Sequence, residues 1–213
     1  MHLRKRADAT TIPFPQIVPT SGKFDGNDGK WSTFLINVNS DKEGQNGQDF
    51  RVLPSTTSGL TLLPMKNSWC TTTECAERRG IIQYGGNQVM GVQDSTNWDD
   101  FLQLEIPLPY WYSGSTDFLN ASDPPRGQWG TTNVGLGQSS AQSLVNPGLF
   151  AAKYQSDAFF MGSFGLSVGE VGTQGATKPT FLSQFKDLQT IPSASYGYTA
   201  GAWYRESSIL QLY

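Results

Sequence analysis

A short run of hydroxyl side chains is the part of this sequence whose residue types and spacing could do chemistry. The run reads Ser55, Thr56, Thr57, Ser58, and apolar segments flank it on both sides. A serine or threonine hydroxyl becomes a nucleophile only when a neighbouring base takes its proton. The chain contains one histidine, His2, so Ser-His-Asp and Cys-His catalysis are excluded. Hydrolytic chemistry would have to come from carboxylates, and the hydroxyl run contains none.

The segments on either side of the hydroxyl run have the pattern of β-strands. Apolar side chains occur at Phe50 and Val52 before it, and an apolar stretch from Leu60 to Leu63 follows and ends at Pro64. Strand, short polar turn and strand is the pattern of a ψ-type hairpin loop. Such a loop presents a functional side chain at its tip, which here is a hydroxyl.

Further segments predict elements that would position this loop. Trp31–Asn39 places Phe34, Ile36 and Val38 on one face, as expected for a strand. The residues from Pro179 to Leu188 space their apolar side chains three and four apart, which predicts a short amphipathic helix. An alternating stretch over residues 98–108 predicts another strand.

The composition favours an all-β protein. The chain has 213 residues with 23 glycines and 12 prolines, and only 15% of its residues are charged. That mixture suits many short strands joined by turns better than a helical bundle. A net charge of −3 argues against nucleic-acid binding, because no basic stripe is available to neutralise phosphates. No stretch approaches eighteen apolar residues, so we expect no membrane-spanning segment.

The sequence predicts no metal site and no cofactor. Cys70 and Cys75 are separated by four residues without a histidine, a poor spacing for a metal. The spacing favours a small disulfide-closed loop in an oxidising compartment, although two free buried thiols are the alternative. Asp25–Gly29 superficially resembles a calcium loop, but its glycine and distal glutamate are misplaced. We therefore interpret it as a polar turn.

The segment Gln48–Pro64 resembles the first active-site motif of pepsin-like aspartic peptidases, which reads Q-x-F-x-V-x-x-D-T-G-S-x-x-L-W-V-P. Ser55 stands where the motif has its catalytic aspartate, and Thr57 stands where it has a glycine. The residues that fall on the pattern without a gap are Gln48, Phe50, Val52, Thr56, Ser58 and Pro64. The scaffold residues of the motif are therefore present, while its catalytic residue is missing.

Other segments are similar to parts of the same family, and to its fungal branch in particular. The family carries a short cystine loop at the position of Cys70 and Cys75, followed by an Arg-Gly pair like Arg79-Gly80. Phe159–Leu166 matches a hydrophobic-hydrophobic-glycine element that underlies the active-site loop, where a glycine lets two backbones pass closely. Gly130–Gly137 resembles a strand of the family, and Ser195–Arg205 strongly resembles a run in fungal members. The resemblance covers about Phe24 to Arg205.

The resemblance implies a pepsin-like N-terminal lobe over residues 24–213, made of packed antiparallel sheets with a short helix. Residues 1–23 would form an extended, propeptide-like leader. We expect the second lobe to be missing, because the chain contains no D-T-G or D-S-G. Tyr112 is the better candidate and Tyr110 the second for the tyrosine of the mobile flap, and an aromatic cluster in a hairpin is the alternative.

The resemblance implies a secreted or cell-surface protein that is catalytically inactive. Pepsin-like catalysis uses two carboxylates that share one proton, and a serine hydroxyl cannot deprotonate water at acidic pH. Such a lobe would bind a peptide or cell-wall ligand in a residual cleft. Asn120 begins a glycosylation sequon, and Arg4–Arg6 is either a dibasic processing site or a solvated tail.

Three alternatives remain open at the level of the sequence. One is an active acid endopeptidase, completed by a C-terminal lobe in cis or in trans. Another is a secreted carbohydrate-binding or cell-wall-binding β-protein whose exposed aromatic side chains stack on sugars. The last is an incomplete gene product, since half of a two-lobed fold would leave an apolar surface in water.

Overall fold

The computed structural model shows a protein built mainly of β-strands with few helices, as the composition predicts. It describes residues 12–26, 29–38, 47–64, 72–82, 99–107, 126–137, 148–152, 161–173, 176–200 and 209–213. The strands in these ranges are β1 (Gln16–Val18), β2 (Thr20–Asp25), β3 (Trp31–Val38), β4 (Gln48–Ser55), β5 (Thr61–Pro64), β6 (Ile81–Ile82), β7 (Asp99–Pro107), β8 (Arg126–Thr131), β9 (Val134–Leu136), β10 (Gly148–Ala152), β11 (Gly162–Gly165), β12 (Glu170–Thr173), β13 (Ala176–Pro179), β14 (Tyr196–Thr199) and β15 (Ile209–Leu212). The helices are α1 (Thr73–Arg78) and α2 (Phe181–Asp187).

The described strands form three sheets. The largest has the order β2-β3-β4-β11-β5-β10-β8-β7, with β6 paired to β4 and β9 paired to β3. A second sheet has the order β1-β15-β14, and β12 and β13 form a two-stranded ribbon. Most pairs are antiparallel, but β11 runs parallel to β4 and β10 runs parallel to β5. The largest sheet contains both strands that flank the hydroxyl run.

Strand β11 lies between the two strands that flank the hydroxyl run. It pairs in parallel with β4, where Gly162 is opposite Val52 and Gly165 is opposite Ser55. On its other side it pairs antiparallel with β5, where Ser163 is opposite Leu62. The arms β4 and β5 are therefore held apart by a strand that comes from more than a hundred residues further along the chain.

The burial of alternating side chains explains why β3 forms where the sequence predicts a strand. Phe34, Ile36 and Val38 are each at most 1% exposed, so one face of β3 is fully buried. The opposite face is covered as well, because Thr33 and Asn37 are also 1% exposed. Alternating apolar side chains thus supply the core, and the polar side chains of Thr33 and Asn37 between them are buried as well.

Helix α2 packs on the sheet through three phenylalanine rings in contact, one pair edge-to-face and the other tilted. The ring centroids of Phe164 and Phe181 are 4.7 Å apart, and those of Phe181 and Phe185 are 4.2 Å apart. All three side chains are at most 1% exposed, and burying each contributes about 1.5–3 kcal/mol. Thr180 caps the helix by accepting a hydrogen bond from the amide of Ser183. The amphipathic helix predicted from the spacing is confirmed.

Short elements near the start of the chain and around the second cysteine were not predicted from the sequence. Residues 16–23, assigned to an extended leader, form β1 and part of β2, and Val18 is fully buried.

The short helix α1 was not predicted. It begins after Thr72, whose hydroxyl accepts a hydrogen bond from the Cys75 amide. It ends before Gly80, whose φ of +78° favours glycine. The Gly80 carbonyl accepts a 2.7 Å hydrogen bond from the Arg51 amide.

Candidate functional site

The hydroxyl run forms the tip of the loop between β4 and β5, and we refer to Ser55–Ser58 as the tip. Ser55 is the last residue of β4 and is half-buried, as is Ser58. Thr56 and Thr57 are exposed. The side chains at the apex of the tip are therefore accessible to a ligand, while both ends of the tip are packed against the sheet.

Backbone hydrogen bonds from the end of β11 hold the tip from below. The Leu166 amide donates to the Ser55 carbonyl at 2.9 Å, and the Ser167 amide donates to the Ser58 carbonyl at 3.2 Å. The Ser167 hydroxyl donates to the Thr56 carbonyl at 3.3 Å. Three of the four carbonyl groups of the tip thus accept hydrogen bonds from one neighbouring segment, so the conformation of the tip depends on β11.

The close approach of β11 to the loop requires glycine. A Cβ atom on Gly165 would lie 2.5 Å from the carbonyl oxygen of Gly59 and 2.8 Å from the carbonyl carbon of Leu60. Such distances to backbone atoms cannot be relieved by rotating a side chain. The expectation that a glycine of the 159–166 segment lets two backbones pass is confirmed, and the glycine is Gly165.

The hydroxyl groups of the loop bond to one another or to the backbone. The Ser55 and Thr57 hydroxyls are 3.5 Å apart, at the outer limit of a hydrogen bond. The Ser58 hydroxyl accepts from the Leu60 amide at 2.9 Å, and the Thr61 hydroxyl accepts from the Gly165 amide at 3.2 Å. Within the described residues, no carboxylate is hydrogen-bonded to the tip. The tip offers neutral donors and acceptors there, and it has no base.

The carboxylate of Asp25 forms an ion pair with Arg51. Arg51 Nε donates to Asp25 Oδ2 at 2.8 Å, and Arg51 Nη2 donates to Asp25 Oδ1 at 3.1 Å. The Thr33 hydroxyl adds a third bond at 2.7 Å, and Arg51 also donates to the Glu77 carbonyl of α1. Both side chains are largely buried, with 11% of Asp25 and 7% of Arg51 exposed. This ion pair joins β2, β4 and α1, and both carboxylate oxygens are occupied.

The ion pair was missed by the sequence interpretation, which placed Asp25 in a polar turn. Asp25 ends strand β2 instead. Its partner Arg51 lies 26 positions away, so no local spacing could have connected them. The available signal was a charged residue at position 51, between the apolar residues Phe50 and Val52.

Several predicted site residues fall outside the described part of the chain. They are Tyr110 and Tyr112 of the flap hypothesis, Asn120 of the sequon, Cys70 and the basic residues Arg4–Arg6. Cys75 lies in the first turn of α1 and is not a free thiol, but its pairing with Cys70 stays a prediction. Among the described residues, no cluster of histidine, cysteine and acidic side chains suits a metal ion. No described helix has the length and apolar character needed to cross a membrane.

No protein-family model matches the chain, and none of the curated proteins matches it significantly. The similarity to pepsin-like peptidases therefore remains a hypothesis. It depends on the residues quoted from the sequence.

Proposed function

We propose that this chain is a pepsin-like N-terminal lobe that has no catalytic activity of its own. The observation that carries the proposal is the position of β11 between β4 and β5, with Gly165 against the backbone of the loop. The resemblance implies that the element within residues 159–166 underlies the loop and that a glycine there lets two backbones pass closely. An unrelated hairpin with a serine-rich turn would pair its two arms directly, so the inserted strand favours the pepsin-like interpretation.

Inactivity follows from the chemistry of the tip. Activation of water in a pepsin-like site requires two neighbouring carboxylates, one as base and one as acid. The tip carries Ser55 where one of them would be, and among the described residues the side-chain partner of its hydroxyl is the Thr57 hydroxyl. The sequence contains no D-T-G and no D-S-G. The chain thus lacks both of the catalytic carboxylates, the base and the acid.

A binding role is consistent with the same geometry. Thr56 and Thr57 expose hydroxyl groups at the apex, and the loop beneath them is held in place by β11. Exposed neutral donors and acceptors on a rigid support suit the amide groups of a peptide or the hydroxyl groups of a cell-wall polymer. In this proposal the protein is secreted, and it binds such a ligand without cleaving it.

Proteolysis at acidic pH tests the proposal directly. The purified chain is incubated with casein or haemoglobin between pH 3 and 5, with and without pepstatin, beside a competent pepsin-like enzyme as the positive control. We expect no cleavage by this chain. Pepstatin-sensitive cleavage would instead support the alternative of an active endopeptidase and would overturn the inactive interpretation.

Carbohydrate binding is the second candidate, and Trp31 is the observation that favours it. This side chain is 53% exposed, although it begins a strand whose next residues are buried. Its indole ring packs against Gly26 and Gly29, so that a Cβ on Gly29 would lie 3.2 Å from Trp31 Nε1. An aromatic ring that rests against glycines and keeps about half of its surface exposed is suited to stacking on a sugar.

A glycan array separates this candidate from the first. The wild type is compared with Trp31→Ala and with a control, Phe14→Ala, which removes an aromatic ring that is 83% exposed. Binding that is lost only in Trp31→Ala would support a carbohydrate site at β3. An absence of glycan binding by the wild type, or equal losses in both variants, would reject it.

A further inference from the structure

We draw no further inference here: the strongest candidate, the uncharged outer face of the three-stranded sheet β1-β15-β14 with its exposed Ile17 and Ile209 side chains, carries nothing because nothing in the structure shows what covers it.

Discussion

Gly165 on β11 lies against the backbone of Gly59, and the two glycines together allow one strand to pass between the arms of the loop. A side-chain carbon on Gly165 would come within 2.5 Å of the Gly59 carbonyl oxygen. The same contact places the amides of Leu166 and Ser167 under the carbonyls of Ser55 and Ser58. The geometry of the tip therefore depends on a residue more than a hundred positions away from it.

The first prediction concerns this contact. Gly165→Ala should destabilise the protein by about 1–3 kcal/mol or more, because the added methyl group meets backbone that cannot rotate away. The free energy of unfolding is measured by urea denaturation. Gly162→Ala on the same strand is the control, since its Cβ would lie 3.0–3.2 Å from its neighbours. An equal decrease in the free energy of unfolding in the two variants would contradict the close approach of β11 to the loop.

The second prediction concerns Ser55. The Ser55→Asp variant should fold with a stability within about 1 kcal/mol of the wild type, since the tip is held by backbone bonds. It should still fail to cleave casein at acidic pH, because one carboxylate cannot act as both base and acid. Pepstatin-sensitive activity in this variant would show that the chain supplies a second carboxylate.

The third prediction concerns the hydroxyl beneath the loop. Thr61→Val should cost about 1–3 kcal/mol, because the buried Gly165 amide would lose its acceptor. Thr57→Val provides a comparison at an exposed position, where a 3.5 Å contact is lost, and little change is expected. Urea midpoints of the two variants measure the difference. A larger loss in Thr57→Val would mean that the tip is held by its side chains.

The fourth prediction concerns the largely buried ion pair. Asp25→Ala should cost about 3–5 kcal/mol, because it leaves the Arg51 guanidinium buried without its charge partner. Lys186→Ala removes a pair at 3.6 Å whose side chains are 57% and 67% exposed, and it should cost no more than about 1 kcal/mol. Thermal and urea unfolding compare the two. Similar small losses would show that Asp25 and Arg51 are solvated in solution.

The fifth prediction concerns Tyr198 at alkaline pH. Burial raises the pKa of this phenol above its ordinary value of 10.0, and its ring lies 5.9 Å from that of Phe34. Because the unfolded chain ionises first, the stabilising contribution of the neutral phenol is complete below pH 10 and is lost as the pH rises through the higher folded pKa. Unfolding free energies measured across this range should fall less steeply in Tyr198→Phe. Identical pH profiles would contradict the shift.

Much of the fold could be predicted from the sequence because its signals are local. Phe34, Ile36 and Val38 alternate over one strand, and the spacing within 179–188 repeats over one helix. Each pattern reflects a single element that presents one face to the core. The short helix α1 escaped prediction because its six residues include only one buried side chain, Ala76, too few to show a period.

What the sequence alone determined is the chemistry of the tip: a hydroxyl at position 55 cannot do the work of a carboxylate in any fold. Only the tertiary structure decided what holds that tip, because strand pairing and ion pairing join residues whose separation leaves no periodic trace. The insertion of β11 between β4 and β5, the place of residues 16–23 in the sheets, and the contact of Asp25 with Arg51 all belong to this second group. Each depends on groups that become neighbours only when the chain folds.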